Sequence, residues 1–265
     1  SRGLIQHLGD LGFAAHWAQF VMPYIGIADN QVRMTQIGGY CTHLAEHLKG
    51  VVAANQFFLV LGGDHSCAVG TWSGVRLGNP GRVGLVWIDA HMDSHTPETT
   101  HSGAVHGMPL AALLGYGAPN LTNIGSNGSK IDPRDVCLVG VRSFEPEEQA
   151  LLDRLGVRVF FMDEVRRRGI DLVLREAVEH VYKHTSSVGV SIDLDAIDPI
   201  DAPGVGSPEH GGIDGAELVN ALRSITREVT FVGAEIVEFN PIRDRGDRTV
   251  RLIFDLVDAM LPRAA

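Results

Sequence analysis

VGLVWIDAHMD, residues 83–93, joins six mostly apolar residues, Val83 to Ile88, to an Asp-Ala-His-Met-Asp cluster. A β-branched and aromatic run of that length reads as a strand, and metal-type side chains follow where it ends. Two other stretches repeat the arrangement. Leu59-Val60-Leu61 runs into Gly62-Gly63-Asp64-His65-Ser66, and Val188 to Ile192 runs into Asp193-Leu194-Asp195. Working outward, strand-length runs recur at 56–61, 83–88, 136–141, 157–161, 187–192 and 229–237. Helical spacing fills most of the intervals, at 40–54, 66–77, 145–155, 171–183 and 214–227, with Asp214 and Glu217 in capping-box positions for the last. Strands alternating with helices predict an α/β fold, with parallel pairing through right-handed crossovers and helices on both sheet faces. Ligands of such sheets bind beyond the carboxyl ends of the strands, so the three clusters are expected on one edge of the sheet.

A chain of 265 residues with 45% hydrophobic content can bury a full core, and a single domain over residues 1–265 is expected. Its 22 Lys and Arg against 32 Asp and Glu give a net charge of −10, which argues against a nucleic-acid partner. Cys41, Cys67 and Cys137 include no CxxC pair, so neither a disulfide framework nor a zinc knuckle is indicated and a reducing cytoplasm fits. No apolar run approaches the ~20 residues of a membrane span, and no charged-then-apolar signal segment opens the chain, so no membrane partner is expected. The Gly/Asn/Ser-rich stretch 116–130 lacks the spacing of a phosphate loop and reads as a surface loop.

Together the clusters offer His65, Asp89, His91, Asp93, Asp193 and Asp195. In an extended chain a period of two aims the side chains of 89, 91 and 93 the same way, and likewise 193 and 195. Burying four Asp side chains together is tolerable only if cations offset them, and two divalent ions match the four negative charges. Oxygen-rich ligation with two His and no Cys favours octahedral ions such as Mn²⁺ over tetrahedral Zn²⁺, and the same ligand types also accommodate Fe²⁺, Co²⁺ or Ni²⁺. Two such ions roughly 3.5–4 Å apart would turn a shared water into a hydrolytic nucleophile near neutral pH.

The ordered set GGDHS (62–66), DAHMDSH (89–95), HSGAVHGMP (101–109), SIDLDAIDP (191–199) and EFNP (238–241) resembles the ureohydrolase family, which includes arginase, agmatinase and guanidinobutyrase. The resemblance runs from about residue 40 to the C-terminus. It implies a three-layer αβα fold with a central, mostly parallel sheet of eight strands. Family members usually carry a longer section before GGDHS, which implies either that the first strand is missing here or that the pocket wall is built differently. One ion is then placed on His65, Asp89, Asp93 and Asp193, the other on His91, Asp89, Asp193 and Asp195, with Asp89 and Asp193 as bridges. His106 matches a histidine at the cleft mouth, a proton shuttle or general acid, and a His titrates in the range that task needs. Glu238 matches the glutamate that faces the substrate guanidinium. Glu235, three residues earlier, would point to the other face of a continuous strand. The implied reaction is attack of a metal-bridging hydroxide on the guanidinium carbon, with Asp93 passing a proton to the leaving amine and urea as one product.

Within the family the resemblance is closest to arginase. The loop His95-Thr96-Pro97-Glu98-Thr99-Thr100-His101-Ser102 has the length and the TP, TT and SG pairs of that branch, which implies Thr100 and Ser102 as carboxylate contacts. Glu145, after Gly140-Val141-Arg142, stands where an acidic residue reads the α-amino group. Three departures mark this chain: His95 and Ala104 each replace an Asn, and Glu145 is one methylene longer than the usual Asp. L-Arginine, yielding L-ornithine and urea, is the expected substrate. The alternative is an agmatinase, a guanidinobutyrase or another guanidino or formimino hydrolase. A non-catalytic homologue is the second alternative, although such a protein would be expected to have lost ligands, and all six are present. A GNHE motif of the dinuclear phosphoesterases is absent, and so is a GxSxG nucleophile elbow. The family also implies a homo-oligomer, a trimer or hexamer. Arg243, Asp244, Arg245 and Asp247 form a charged stretch that reads as a solvated loop, with an interface as the alternative.

Overall fold

Each strand-length apolar run becomes a strand of one parallel sheet, with ends that move by no more than two residues. The computed structural model describes residues 2–20 and 30–262. Its strands are β1 (Phe58–Leu61), β2 (Val83–Ile88), β3 (Val136–Val141), β4 (Arg158–Phe161), β5 (Ser187–Asp193) and β6 (Phe231–Val237), in the spatial order β1-β6-β5-β2-β3-β4. All five pairings are parallel. The described helices are α1 (Arg2–Asp10), α2 (Asn30–Ala53), α3 (Ala68–Gly78), α4 (Pro109–Leu113), α5 (Pro119–Thr122), α6 (Pro146–Leu155), α7 (Met162–Arg168), α8 (Ile170–Tyr182), α9 (Gly215–Ile225) and α10 (Arg248–Met260).

Alternation along β2 sets the three layers. Val86 and Ile88 pack into a cluster with Val173, Ala177 and Val181 of α8, Leu218 and Leu222 of α9, and Leu256 of α10. Leu85 and Trp87 face the opposite cluster, with Leu44 and Leu48 of α2 and Trp72 of α3. Strands buried on both faces in this way are why the runs read as continuously apolar. Asp214 caps α9 as the sequence suggested, its carboxylate accepting the Glu217 N–H at 2.9 Å.

The described residues contain six strands, whereas the resemblance implied eight. Residues 30–53 present Ile37, Cys41, Leu44, Ala45, Leu48 and Val52 on a buried helical stripe and so form α2, which leaves β1 at the sheet edge. In the stretch 116–130 the last residue organises the loop, because the Lys130 ammonium donates to the carbonyls of Thr122, Ser126 and Gly128. The charged stretch 243–247 is a mostly exposed loop, as read, anchored at two points. Asp244 accepts the N–H groups of Thr249 and Val250 at the start of α10, and Arg243 donates to the Gly206 carbonyl.

Candidate metal centre and active site

Strand order brings the clusters together: β1, β6, β5 and β2 are neighbours, and their carboxyl ends lead into His65, Glu238, Asp193 to Asp195, and Asp89 to Asp93. Ile88 pairs with Ile192, so Asp89 and Asp193 follow at the same level. One local device then turns all three clusters. Asp64 Oδ1 accepts the Ser66 N–H at 3.1 Å, Asp89 Oδ1 the His91 N–H at 2.7 Å, and Asp193 Oδ1 the Asp195 N–H at 2.8 Å. An aspartate folding back on the backbone two residues later is a turn that this side chain makes readily. The extended-chain alternation expected for residues 89–93 is therefore corrected. β2 stops at Ile88, and Asp93 adopts a left-handed φ of 49°.

The turns build two groups. His65 Nδ1 lies 3.1 Å from Asp89 Oδ2, 3.0 Å from Asp93 Oδ2 and 3.1 Å from Asp193 Oδ2, all buried. His91 Nδ1 lies 3.5 Å from Asp89 Oδ1 and 3.3 Å from Asp195 Oδ2. Asp89 thus presents one oxygen toward each histidine, its Oδ1 also holding its own turn, whereas Asp193 faces the His65 group through Oδ2 and its Oδ1 holds the Asp195 N–H. His65 Nδ1, Asp93 Oδ2 and Asp195 Oδ1 are buried with no hydrogen-bond partner. Burial, and then the charge of Asp89, pushes the Asp93 carboxyl up to about 7; burial and Asp195 raise Asp193 as well. Burial works against a charged His65, but the carboxylates of Asp193, Asp89 and Asp93 outweigh it, and Asp195 with Asp89 likewise drives His91 up to about 12. Buried carboxyls that repel one another and hold shared protons suit divalent cations, which displace protons from such ligands. Both groups could hold an ion.

A further shell orients His65. Its Nε2 lies 3.0 Å from Ser191 Oγ, and Ser191 donates to Glu235 Oε2 at 2.8 Å. Because the serine hydroxyl is committed to Glu235, it accepts from Nε2–H, which leaves the Nδ1 lone pair aimed at the centre. Glu235 is fully buried and also accepts from Thr71 Oγ1 at 2.6 Å and Trp72 Nε1 at 3.0 Å. Trp72 reaches it across Gly189, where any Cβ would sit 2.2 Å from the indole ring. The ring of Trp87 stacks under His65 at 4.1 Å while its Nε1–H donates to Asp89 Oδ2 at 2.9 Å. Sequence reading turned Glu235 away from the substrate side and missed this supporting role, which depends on partners far apart in the chain.

Glu238 follows the last residue of β6 with a left-handed φ of 64°. Its Oε1 accepts the His65 N–H at 2.9 Å and lies 3.3 Å from His106 Nδ1. The bond with Glu238, only partly opposed by burial, pushes His106 up from its ordinary 6.5 to about 9. Burial favours a neutral Glu238, but His106 and the His65 N–H prevail and hold it below the usual carboxylate range. A raised histidine stabilises the fold fully below its free value, and the effect is lost as pH climbs through the folded value. The melting-temperature gap between wild type and His106→Ala is accordingly expected to be largest near about pH 6 and to shrink toward about pH 9. A gap that widens over that range would contradict the pairing.

The residues read as substrate contacts divide. His95 and Glu145 meet, Nε2 to Oε2 at 3.1 Å, and Glu148 Oε2 lies 3.6 Å from the same nitrogen. Thr99 Oγ1 holds the other ring nitrogen at 3.1 Å. Thr100 and Ser102 use their hydroxyls to accept the N–H groups of Gly103 and Ala104, and among the described residues no hydrogen bond links either to His95, Glu145 or Glu238. Glu148 was not singled out by sequence, yet it is buried and completes a capping box with Glu145 at the start of α6 while accepting the Ser94 N–H at 3.1 Å. The Glu-Pro-Glu-Glu pattern at 145–148 carried that signal.

Known proteins resemble this chain in sequence and fold. The arginase of Bacillus caldovelox is 42% identical over 217 residues, 82% of this chain and 72% of that protein. The arginase of Brevibacillus brevis is 43% identical with the same coverage. The solved native structure of the Bacillus caldovelox arginase superposes with a TM-score of 0.90 at 36% identity, covering 99% of this chain and 89% of that one. The pattern of the arginase family matches residues 6–262, and the chain belongs to the arginase family, metal-dependent hydrolases of guanidino compounds.

Proposed function

We propose that this chain hydrolyses L-arginine to L-ornithine and urea at a pair of Mn²⁺ ions, as one catalytic domain. His65, Asp89, Asp93 and Asp193 would hold one ion; His91, Asp89 and Asp195 would hold the other, with Asp193 as a second shared ligand by the family resemblance. The observation that carries the reading is the placement of Asp89, with one carboxylate oxygen toward each histidine. When bound, the ions supply Lewis acidity and a water activated near neutral pH. The protein supplies the rest. Glu238 receives the substrate guanidinium, a planar cation that a carboxylate pairs well. Asp93, whose Oδ2 has no hydrogen-bond partner, takes a proton and passes it to the leaving amine. His106, with a side chain 42% exposed, exchanges protons with solvent. His95, Thr100, Ser102 and Glu145 are the residues that the family resemblance assigns to the α-carboxylate and α-amino group. The free, buried Cys41, Cys67 and Cys137 support a cytoplasmic setting, no described helix is long and apolar enough to cross a membrane, and a trimer or hexamer rests on the family resemblance.

A second reading draws on the His95–Glu145 pair. It already occupies the carboxylate that would greet an α-amino group, and the Arg142 guanidinium is spent on backbone carbonyls rather than offered to a substrate carboxylate. Agmatine, which carries neither group, fits such a pocket; guanidinobutyrate lacks the α-amino group but keeps a carboxylate. Urea release after Mn²⁺ loading separates the readings: turnover of arginine well above the other two is expected, activity on agmatine alone would remove only the arginine preference, and no turnover on any of the three would refute the enzyme reading.

A further inference from the structure

We propose that Glu209 is a positioning residue for His91 and, through it, for the ion on the Asp195 side; the proposal rests on the two-ion reading above. His91 turns Nδ1 toward Asp89 and Asp195, so its Nε2 faces away from the centre, and there it meets Glu209 Oε1 at 3.8 Å. Glu209 does not arrive there by chance. Ser143 Oγ donates to the same Oε1 at 3.2 Å, and Arg142 Nη2 donates to the Glu209 carbonyl at 2.8 Å. The same guanidinium also donates to the carbonyls of Asp195 at 2.7 Å, Ala196 at 3.1 Å and Gly140 at 3.2 Å. One side chain thereby ties the Asp195 turn and the Glu209 loop into a single body, fixing the carboxylate relative to the ligand it serves.

The two histidines are supported differently. His65 gives Nε2–H to a buried serine that leans on Glu235, whereas among the described residues Glu209 is the acceptor placed for the Nε2–H of His91. A metal-bound imidazole needs such an acceptor, because the proton it fixes on one nitrogen leaves the other bare for the ion. At 3.8 Å the contact is longer than a hydrogen bond, and a small rotation of the 38% exposed Glu209 side chain, or one bridging water, closes it. The carboxylate lies outside both ligand groups and was not marked by any motif in the sequence.

The test uses the full chain and Mn²⁺ alone. Wild type, Glu209→Gln and Glu209→Ala are titrated with Mn²⁺, counting bound ions and recording the paramagnetic resonance spectrum, which distinguishes a coupled pair from a single ion. Glu209→Ala is expected to bind one ion as wild type does and the second about 10–100-fold more weakly, the usual cost of losing such a partner. The coupled-pair spectrum should give way to a single-ion spectrum at Mn²⁺ levels that saturate wild type, and return with excess Mn²⁺. Glu209→Gln, which keeps an acceptor oxygen, should lose less. Unchanged affinity for both ions in the variants would overturn the proposal and leave the two-ion reading intact, as would a change in KM with metal binding unaltered, which would make Glu209 a substrate contact instead. A wild type that binds fewer than two ions would overturn both.

Discussion

Asp89→Ala is expected to abolish urea release and to prevent either ion from binding at Mn²⁺ concentrations that saturate the wild type. Asp89 is fully buried, and both of its oxygens are committed: Oδ2 beside His65 and the Trp87 Nε1–H, Oδ1 beside His91 and holding that residue's own N–H. Among the described residues no other side chain faces both histidines through separate oxygens. Losing the ions removes several kcal/mol of charge stabilisation, and each ~1.36 kcal/mol is tenfold in rate, so activity should fall at least ~1000-fold. Asp89→Asn keeps the shape and one acceptor but not the charge, so it should lose the ions while retaining the fold. Urea release within tenfold of wild type in Asp89→Ala would sink the shared-ligand assignment.

Glu235→Ala is the substitution with the largest expected effect on stability. The carboxylate is fully buried and accepts from Thr71 and Trp72 on α3 and from Ser191 on β5. Truncation strands an indole N–H that cannot rotate to another partner and leaves a cavity beneath it. Unsatisfied buried donors cost about 1–3 kcal/mol each, so a total loss of roughly 3–5 kcal/mol is expected, which lowers the melting temperature by about 10 °C in a chain of this size. Ser191 would also be released, and with it the orientation of His65, so Mn²⁺ affinity should drop in the same variant. Glu235→Gln, which preserves an acceptor, should be milder on both counts. A melting temperature for Glu235→Ala indistinguishable from wild type would show that this carboxylate supports nothing.

The strands were legible because burial on both faces leaves apolar runs that periodicity cannot hide, and their abrupt ends in Asp and His marked the site. What lay beyond was set by contacts between distant residues. Residues 248–260 were not assigned as a helix, although Leu252, Ile253, Leu256, Val257 and Met260 bury one face at roughly 1.5–3 kcal/mol each. The reason is local: Asp247 enters α10 in a left-handed conformation with no side-chain cap, and the capping carboxylate comes from Asp244 inside a charged stretch. The six metal-type residues were named from sequence and the structure gathers all of them, but the way they converge was misjudged. Asx turns and the left-handed Asp93 aim them, not extended-chain alternation. Ser191 opens the SIDLDAIDP stretch without marking its own role, the 145–148 pattern shows Glu148 only as a helix cap, and Glu209 carries no motif; only the fold sets them beside the residues they support.

Anomalous X-ray scattering from crystals grown with Mn²⁺, collected at the manganese edge, locates the ions themselves. Two peaks are expected, roughly 3.5–4 Å apart, one beside His65 Nδ1 and the other beside His91 Nδ1, with Asp89 between them. A single peak, or a second one away from His91 and Asp195, would contradict a dinuclear centre.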